Sequence, residues 1–311
     1  MKIPFILLLI LTFAVAGVRI NVDSLVVRED LDSEGRRYLT KTKIPFQGLV
    51  YGEYPNGQVE FEGSLESGLQ HGTWVWWYQT GEKKSEITFS NHLKHGQGQS
   101  YFKSGHLQES GNYLEDKKEG LWTQFYESNQ KYSEMNYKND KLHGRSTIWH
   151  ENGRKNKEVF YTRGKKHQWE LGWYADGSHR LKLYWYLGLQ DGQQIAWYNN
   201  GQKEYHYTFD KGTLIGDINE WYDNGGQRIT GSFIAGKQTG TWKWYFPNGN
   251  LALEGEYVDG FPKGYWRSYS EDGLMIYQEE EYGVWVEEEL KWWREAYAGA
   301  ANPENMSVIQ Y

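Results

Sequence analysis

Four histidines recur at one position of a periodic sequence and are the first residues that could do chemistry. His71, His95, His143 and His167 are separated by multiples of 24 residues. Equivalent residues of successive hairpins lie two strands apart, about 9.6 Å at roughly 4.8 Å per strand. A zinc ion needs each nitrogen at about 2.0–2.1 Å, so adjacent histidines cannot share one. We therefore interpret them as polar residues that support turns, and we expect no metal and no cofactor.

Carboxylates form a second column with the same spacing, which includes Glu62, Glu86, Glu134, Glu158 and Glu254. Acid and base pairs of glycosidases stand about 5–5.5 Å or about 6.5–9.5 Å apart, so the two-strand spacing does not suit them. Charge pairing with neighbouring lysines is the interpretation that remains. The sequence also contains no Gly-rich phosphate loop, nucleophile elbow or Cys/His constellation. These observations predict a protein that is not an enzyme.

Glycines explain the period, because they fall in two columns with a 24-residue step. In the first column, nine of the ten positions from 48 to 264 are glycine, and Gln168 is the exception. The second column lies nine residues further on and has Asn129 as its exception, a residue type that tolerates positive φ. Its glycines, which we predict to be structural turn residues, are Gly57, Gly81, Gly105, Gly153, Gly177, Gly201, Gly225, Gly249 and Gly273. A fixed period in this range indicates a repeat architecture.

Each unit is numbered here from its leading glycine, which is position 0. Positions 1 to 7 and 10 to 18 are rich in residues that favour strands. Asn-Gly or Asp-Gly at positions 8 and 9 predicts a type I′ turn between them. A second turn leads to the next unit. The predicted fold class is all-β, an elongated single antiparallel sheet of about ten 24-residue β-hairpin repeats, with a short capping helix at the C-terminus as an addition.

A two-residue turn would pair position 6 with 11, 4 with 13, 2 with 15 and 0 with 17. The face that holds positions 2, 6 and 17 collects tryptophan, tyrosine and phenylalanine, for example Trp242, Phe246 and Tyr257, and is predicted to be buried. Glycine is frequent at position 15, where a missing side chain would leave room for a position-2 indole across the strand pair.

The opposite face is polar except for an aromatic column at position 5. These residues are Trp77, Tyr101, Phe125, Trp149, Trp173, Trp197, Trp221, Tyr245 and Tyr269. One interpretation is structural: each ring covers the stem of a cross-strand partner at position 12, or a bend of the sheet covers it. The other is functional, and makes this position-5 stripe a surface that binds a ligand or partner.

The two ends of the chain differ from the repeats. Residues 1–16 have the layout of a secretory signal peptide, although an uncleaved membrane anchor is an alternative, and the chain contains no cysteine. We predict a capping hairpin over residues 17–47, repeats over 48–284 and an acidic cap over 285–311. In that cap, Leu290, Trp293 and Tyr297 could line one side of a helix that covers the sheet edge or docks a partner.

A family resemblance is carried by the pattern G-x-W-x-x-(W/Y)-Y-x-N-G, which is followed by a closing HG or TG. It resembles the MORN repeat variants of YwqK-family proteins, and PFQGLVYGEYPNGQVEFEGSLESGLQHGTW, residues 45–74, is similar to the opening of that family. The resemblance covers roughly residues 25–284. It implies a binding or scaffolding module, for which an antitoxin role is the family's frequent label, and it supplies no catalytic residues.

Charge limits the class of partner. The net charge is −7, and residues 265–311 carry ten acidic and three basic residues, so the preceding chain is neutral. No basic stripe is present, which argues against a nucleic-acid partner. Two functions remain open: a monomeric scaffold outside the cytoplasm that binds a protein, in the manner of an antitoxin, and an envelope module that binds glycan or lipid headgroups on the position-5 stripe.

Overall fold

The structure, a computed structural model, describes residues 19–27, 36–39 and 44–279, together with residues 286, 288, 290 and 291. The described chain is all-β, as the sequence predicts, with 68% of its residues in strands, and Val22–Ser24 forms a short 3₁₀ helix. The strands are β1 (Arg19–Asn21), β2 (Leu25–Val27), β3 (Arg37–Leu39), β4 (Gly48–Glu53), β5 (Val59–Glu66), β6 (Leu69–Trp77), β7 (Lys83–Ser90), β8 (Leu93–Tyr101), β9 (Leu107–Leu114), β10 (Lys117–Phe125), β11 (Lys131–Lys138), β12 (Lys141–Trp149), β13 (Lys155–Thr162), β14 (Lys165–Trp173), β15 (His179–Tyr186), β16 (Leu189–Trp197), β17 (Lys203–Asp210), β18 (Thr213–Trp221), β19 (Gln227–Ile234), β20 (Lys237–Tyr245), β21 (Leu251–Val258), β22 (Phe261–Tyr269) and β23 (Met275–Glu279).

The chain divides into two compact units, Met1–Leu142 and His143–Tyr311. In the first unit, β4 to β11 pair with their neighbours in antiparallel order, β1 joins β4 in parallel, and β2 pairs with β3. In the second unit, β12 to β23 pair in the same antiparallel order. Within the described residues, no helix has the length and apolar composition needed to cross a membrane.

The predicted hairpin register is confirmed over most of each repeat. In the ninth repeat, Gly240 lies opposite Tyr257 and Trp242 lies opposite Gly255. We call the face that holds positions 2, 4, 13, 15, 17 and 22 the inner face. The face that holds positions 1, 3, 14, 16, 18 and 21 is called the outer face.

The turn at positions 8 and 9 differs from the prediction. The amide of Phe246 donates to the carbonyl of Asn250, and the amide of Gly249 donates to the carbonyl of Phe246. Gly249 has φ of 89°, whereas Asn248 is not among the residues with positive φ. This is a three-residue loop, a type I turn closed by a G1 bulge, and not a type I′ turn. Position 5 therefore pairs with position 11 rather than 12, the predicted pair 6–11 is wrong, and position 12 is the bulged residue.

The position-8 asparagine accounts for the difference, because the oxygen of its side-chain amide accepts one hydrogen bond and the nitrogen donates another. Asn200 accepts a hydrogen bond from the amide of Gln202 at 3.0 Å and donates one to the carbonyl of Asp223, in the next repeat, at 2.6 Å. The same pair of contacts recurs at Asn152, Asn224 and Asn248. In this turn, which is type I and followed by a glycine with positive φ, the asparagine accepts a hydrogen bond within its own repeat and donates one to the next repeat.

Type I′ turns do occur, but at the second turn of each unit. Ala235 and Gly236 have φ of 51° and 78°, and they join the paired residues Ile234 and Lys237. Positive φ at both central residues defines this turn, which matches the twist of the strands. The alternation of two turn types therefore makes a continuous meander from a single repeated sequence.

Tryptophans on the inner face pack over glycines of the preceding repeat. A Cβ atom placed on Gly231 would lie 2.3 Å from the ring of Trp242, although Trp242 pairs across its own hairpin with Gly255. The space predicted at position 15 is therefore used by the next repeat and not by the same strand pair. The same packing occurs in three further pairs: Gly63 with Trp74, Gly111 with Trp122, and Gly255 with Trp266.

Where position 2 is not tryptophan, the neighbour at position 15 is larger. Val159 lies opposite Glu170, and Leu183 lies opposite Gln194. Because close packing tolerates neither voids nor overlap, the volumes at these two positions complement each other between repeats. The aromatic residues of the inner face, including Trp242, Trp266, Phe233 and Tyr257, form the main core of the second unit.

Both chain ends contribute to the cores. Leu25, from the predicted N-terminal cap, is buried with Val50 and Trp74. Val286 and Leu290 have helical backbone, are buried, and belong to the core cluster of the second unit. No α-helix with bounded ends lies in the described residues, so the capping helix stays a prediction. The signal peptide at 1–16, Trp293 and Tyr297 lie outside the described residues.

Candidate functional site

The nine aromatic side chains of the position-5 stripe are all partly buried. None is fully covered, and none is among the exposed large hydrophobic residues. Each lies at the end of the first strand of its hairpin, and the described pairs join it to position 11, as Trp197 is joined to Lys203. The predicted partner at position 12 is wrong, because the bulge turns that residue to the inner face, where Arg228 and Ala252 are buried.

Lysines at position 11 cover several rings of the following repeat. Nζ of Lys155 lies 5.6 Å from the ring centroid of Trp173, and Nζ of Lys203 lies 5.8 Å from that of Trp221. Lys155 also forms an ion pair of 2.8 Å with Glu158, in the carboxylate column at position 14. A cation within about 6 Å of a ring is attracted to its face. One face of each of these two rings is therefore partly covered by a lysine of the protein itself.

The stripe is more open around Trp197. His179 stands between two tryptophans, with its ring centroid 6.4 Å from that of Trp173 and 5.8 Å from that of Trp197. A cavity of about 440 Å³ adjoins this point and is lined by His179, Lys182 and Trp197, with Ser178 and Gly201 at the turn. An indole, an imidazole and an ammonium group in one cavity can stack on a flat ligand and donate hydrogen bonds to it.

Tyrosines at position 6 donate hydrogen bonds to the main-chain carbonyls of stripe residues in the next repeat. The hydroxyl of Tyr174 donates to the carbonyl of Trp197 at 2.7 Å, and the hydroxyl of Tyr198 donates to that of Trp221 at 2.9 Å. Burial raises the pKa of Tyr198 to about 12. Equivalent bonds link Tyr54 to Trp77, Tyr78 to Tyr101, and Tyr222 to Tyr245. Sequence reasoning assigned these tyrosines only to a buried face, whereas their hydroxyls connect one repeat to the next.

Charged groups on the inner face of the middle repeats were not predicted. Glu170 stands where other repeats have tryptophan, and it is only 2% exposed. Its carboxylate lies 2.6 Å from Nζ of Lys157 and 2.7 Å from Nζ of Lys166. Burial opposes its ionisation, but the two lysines outweigh that effect, so the pKa of the Glu170 carboxyl is lowered.

A second buried cluster joins Glu220, Glu204, Arg228 and Tyr207. Glu220 accepts a hydrogen bond of 2.5 Å from the hydroxyl of Tyr207 and lies 3.5 Å from a guanidinium nitrogen of Arg228. Burial raises the pKa of Glu220 and also that of Glu204, although Arg228 acts in the opposite direction on both. The exchange of tryptophan for Ser146, Glu170 and Gln194 at position 2 is the sequence signal for the first cluster, whereas the repeat of Glu220 has Ile218 there.

The histidine column shows contacts to nearby residues of the turns and strands. Nδ1 of His71 lies 3.1 Å from the carboxylate of Glu66. His167 packs edge-on against Tyr186, with ring centroids 5.6 Å apart. These contacts agree with a role in supporting turns.

Seven large apolar side chains are exposed on the outer face of the second unit. They occupy positions 1, 18 and 21, and we call them the outer apolar row: Trp169, Tyr186, Leu189, Ile234, Val258, Phe261 and Tyr265. Phe261 is 73% exposed and Ile234 69% exposed. Tyr186 pairs with Leu189, and Val258 pairs with Phe261, beside the type I′ turns. Four of the seven residues therefore form two cross-strand pairs that contact solvent, whereas Ile234 lies opposite Lys237.

Comparison with known protein families matches four segments of the chain to the MORN repeat variant, residues 70–91, 94–115, 118–139 and 238–259. Each matched segment begins at position 22 of one unit and ends at position 19 of the next. Repeats of this family are non-enzymatic and generally interact with proteins or lipids. No curated protein matches the chain. The narrower resemblance to YwqK-family proteins stays a prediction.

Proposed function

We propose that this protein is a non-enzymatic scaffold that binds a protein partner through the outer face of its repeats. The outer apolar row is the observation that carries this proposal. Exposed apolar surface rimmed by polar residues is typical of protein interaction sites, and aromatic side chains dominate their energetics. The row contributes nothing to the core, which is built on the inner face.

The finer parts of the proposal are its location and the class of partner. The leader-like residues 1–16 support a place outside the cytoplasm, and the resemblance to YwqK-family proteins supports a toxin as the protein that is bound. Mass spectrometry of the protein purified from its native host checks the first part. A mature chain that starts at Gly17 is the expected result, and an intact N-terminus would contradict cleavage.

A triple variant tests the binding surface, with serine at Ile234, Val258 and Phe261. These side chains are 39% to 73% exposed. The melting temperature of the variant should therefore stay within a few degrees of that of the parent chain, whereas the binding of protein partners should be lost. The measurement is affinity capture from an envelope extract, followed by thermal melting of each variant.

The matched control places serine at Asp210 and Thr213, a cross-strand pair that occupies positions 18 and 21 of the preceding repeat. The control should capture the same proteins as the parent chain. Equal capture by both variants would contradict a binding role for the row.

Glycan or lipid headgroup binding is the second candidate, and the cavity at Trp197 favours it. Stacking on one aromatic ring contributes about 0.5–1.5 kcal/mol. Serine at Trp173, Trp197 and Trp221 should therefore lower the affinity for isolated cell-wall glycan or headgroups by one to three orders of magnitude. Unchanged binding by this folded variant would contradict a role for the stripe.

A further inference from the structure

A partly open, mainly apolar cavity lies in the first unit, apart from the outer face. It has a volume of about 280 Å³ and lies between the N-terminal cap and the inner face of the first two hairpins. Its aromatic wall consists of Phe61, Trp74 and Trp76, and the rings of Phe61 and Trp74 stack with centroids 5.8 Å apart. An apolar cavity of about 150 Å³ takes benzene, so this one suits a body of about two fused rings.

The polar side chains that line this cavity are hydrogen-bond donors, and they are either positively charged or neutral. Arg37, Gln70 and His92 line it, and no acidic residue does within the described part of the chain. Arg37 is partly buried, and among the described residues its guanidinium has neither an ion pair nor a hydrogen bond. A partly buried guanidinium beside an apolar wall, with no partner among the described residues, can pair with an anion that enters the cavity.

Main-chain contacts hold Arg37 at this place. Its amide donates to the carbonyl of Gly68 at 2.9 Å, and its carbonyl accepts from the amide of Phe46 at 2.8 Å. A Cβ atom on Gly68 would lie 2.8 Å from the carbonyl oxygen of Arg37. The cap is thus seated closely on the first type I′ turn, and the cavity is a formed part of the fold.

We propose that this cavity binds a small organic carboxylate, whose apolar body contacts the three aromatic rings and whose carboxylate pairs with Arg37. The planar fork of arginine suits a carboxylate, since two parallel hydrogen bonds can form. The amide of Gln70 and the ring of His92 can donate further hydrogen bonds to the same group. This site is independent of the proposed protein partner, because it uses none of the outer-face residues.

Calorimetric titration of the full chain with 2-naphthoate tests the proposal. We expect one site per chain, and Arg37→Gln should weaken binding about 10- to 100-fold, as expected when a charged hydrogen bond is lost. Arg36→Gln removes the same charge one residue away, does not line the cavity, and should change the affinity by less than about twofold. The neutral analogue 2-naphthylmethanol should bind the parent chain as weakly as 2-naphthoate binds Arg37→Gln.

A cavity-filling variant, Val22→Phe, locates the site independently of charge, because Val22 also lines the cavity. It should abolish 2-naphthoate binding without lowering the melting temperature by more than a few degrees. Three results would overturn the proposal: no heat of binding for the parent chain at millimolar ligand, equal affinities for the Arg37→Gln and Arg36→Gln variants, or tighter binding of 2-naphthyl phosphate than of 2-naphthoate.

Discussion

Gly231 provides the sharpest test of how successive repeats pack. A methyl group on this residue would lie 2.3 Å from two ring atoms of Trp242, and Trp242 is only 1% exposed. The indole cannot move away freely, because Phe233 meets it edge-on at 5.2 Å and Tyr257 at 5.8 Å, measured between ring centroids. Gly231→Ala should therefore strain the core of the second unit.

The magnitude follows from the size of the overlap. Carbon atoms in contact stand about 3.5–4.0 Å apart, so the ring or the strand must shift by more than about 1 Å. Overpacking of a close-packed core costs typically 1–3 kcal/mol. We expect the free energy of unfolding to fall by about 2–3 kcal/mol, at the upper end of that range, because rigid rings surround the site.

A double-mutant cycle with Trp242→Leu isolates this contact, measured by urea denaturation followed by circular dichroism. In the Trp242→Leu background the added methyl group meets no indole, so Gly231→Ala should cost less than about 0.5 kcal/mol. Gly249→Ala is the control, because no atom lies within 4 Å of its added Cβ and its φ is 89°. That change should cost about 1 kcal/mol in both backgrounds, from the backbone alone. Equal losses for Gly231→Ala in the two backgrounds would refute the inter-repeat packing.

Three further predictions concern the turns and the buried charges. Gln168 has φ of 70° at a position that is otherwise glycine, so Gln168→Gly should raise the free energy of unfolding by up to about 1 kcal/mol in urea titrations. Asn200→Ala leaves a turn amide and the carbonyl of the next repeat without their bonds, and we expect thermal denaturation to show a loss of about 1–2 kcal/mol, with Asn200→Asp intermediate. Glu170→Gln leaves two lysines near a neutral group and should cost about 3 kcal/mol at pH 7. Since the pKa of Glu170 is lowered, its contribution is present above about pH 4.3 and is lost as the pH falls through the lowered value, so stability curves of parent and variant should converge in acid.

The fold could be predicted from the two glycine columns, since residues with positive φ at a fixed spacing leave few alternatives to a hairpin array. The turn types could not: a type I′ turn was predicted at positions 8 and 9, whereas type I′ turns occur at the second turn of each unit, whose type the sequence analysis left open. Asn-Gly is compatible with both a two-residue loop and the end of a three-residue loop. The choice depends on contacts such as that of Asn248 with Glu271 in the next repeat, and the local sequence does not show them.

The repeat position of the stripe residues was predictable from the sequence, but their surroundings were not. The period places all nine aromatic residues of the stripe at one repeat position, and within each unit the structure gives them equivalent places at the end of the first strand of their hairpins. Their partners were misplaced by one residue, because the G1 bulge removes position 12 from the ladder. The lysine that lies over the ring of Trp221 is therefore Lys203, which belongs to the preceding repeat.

The two faces of the repeats can change independently, because the bonds between repeats do not pass through position 2. Tyrosine hydroxyls at position 6 and asparagine amides at position 8 join neighbouring repeats whether the inner residue is Trp242 or Glu170. A buried ion pair adds little to stability compared with an apolar residue of similar volume, so stability alone does not explain Glu170. What the exchange preserves is volume, since Val159 lies opposite Glu170 whereas Gly231 meets Trp242. Along each unit, the outer face therefore has the same regular backbone in every repeat. The repeats differ there only in side-chain chemistry, which is charged at Asp210 and apolar at Ile234.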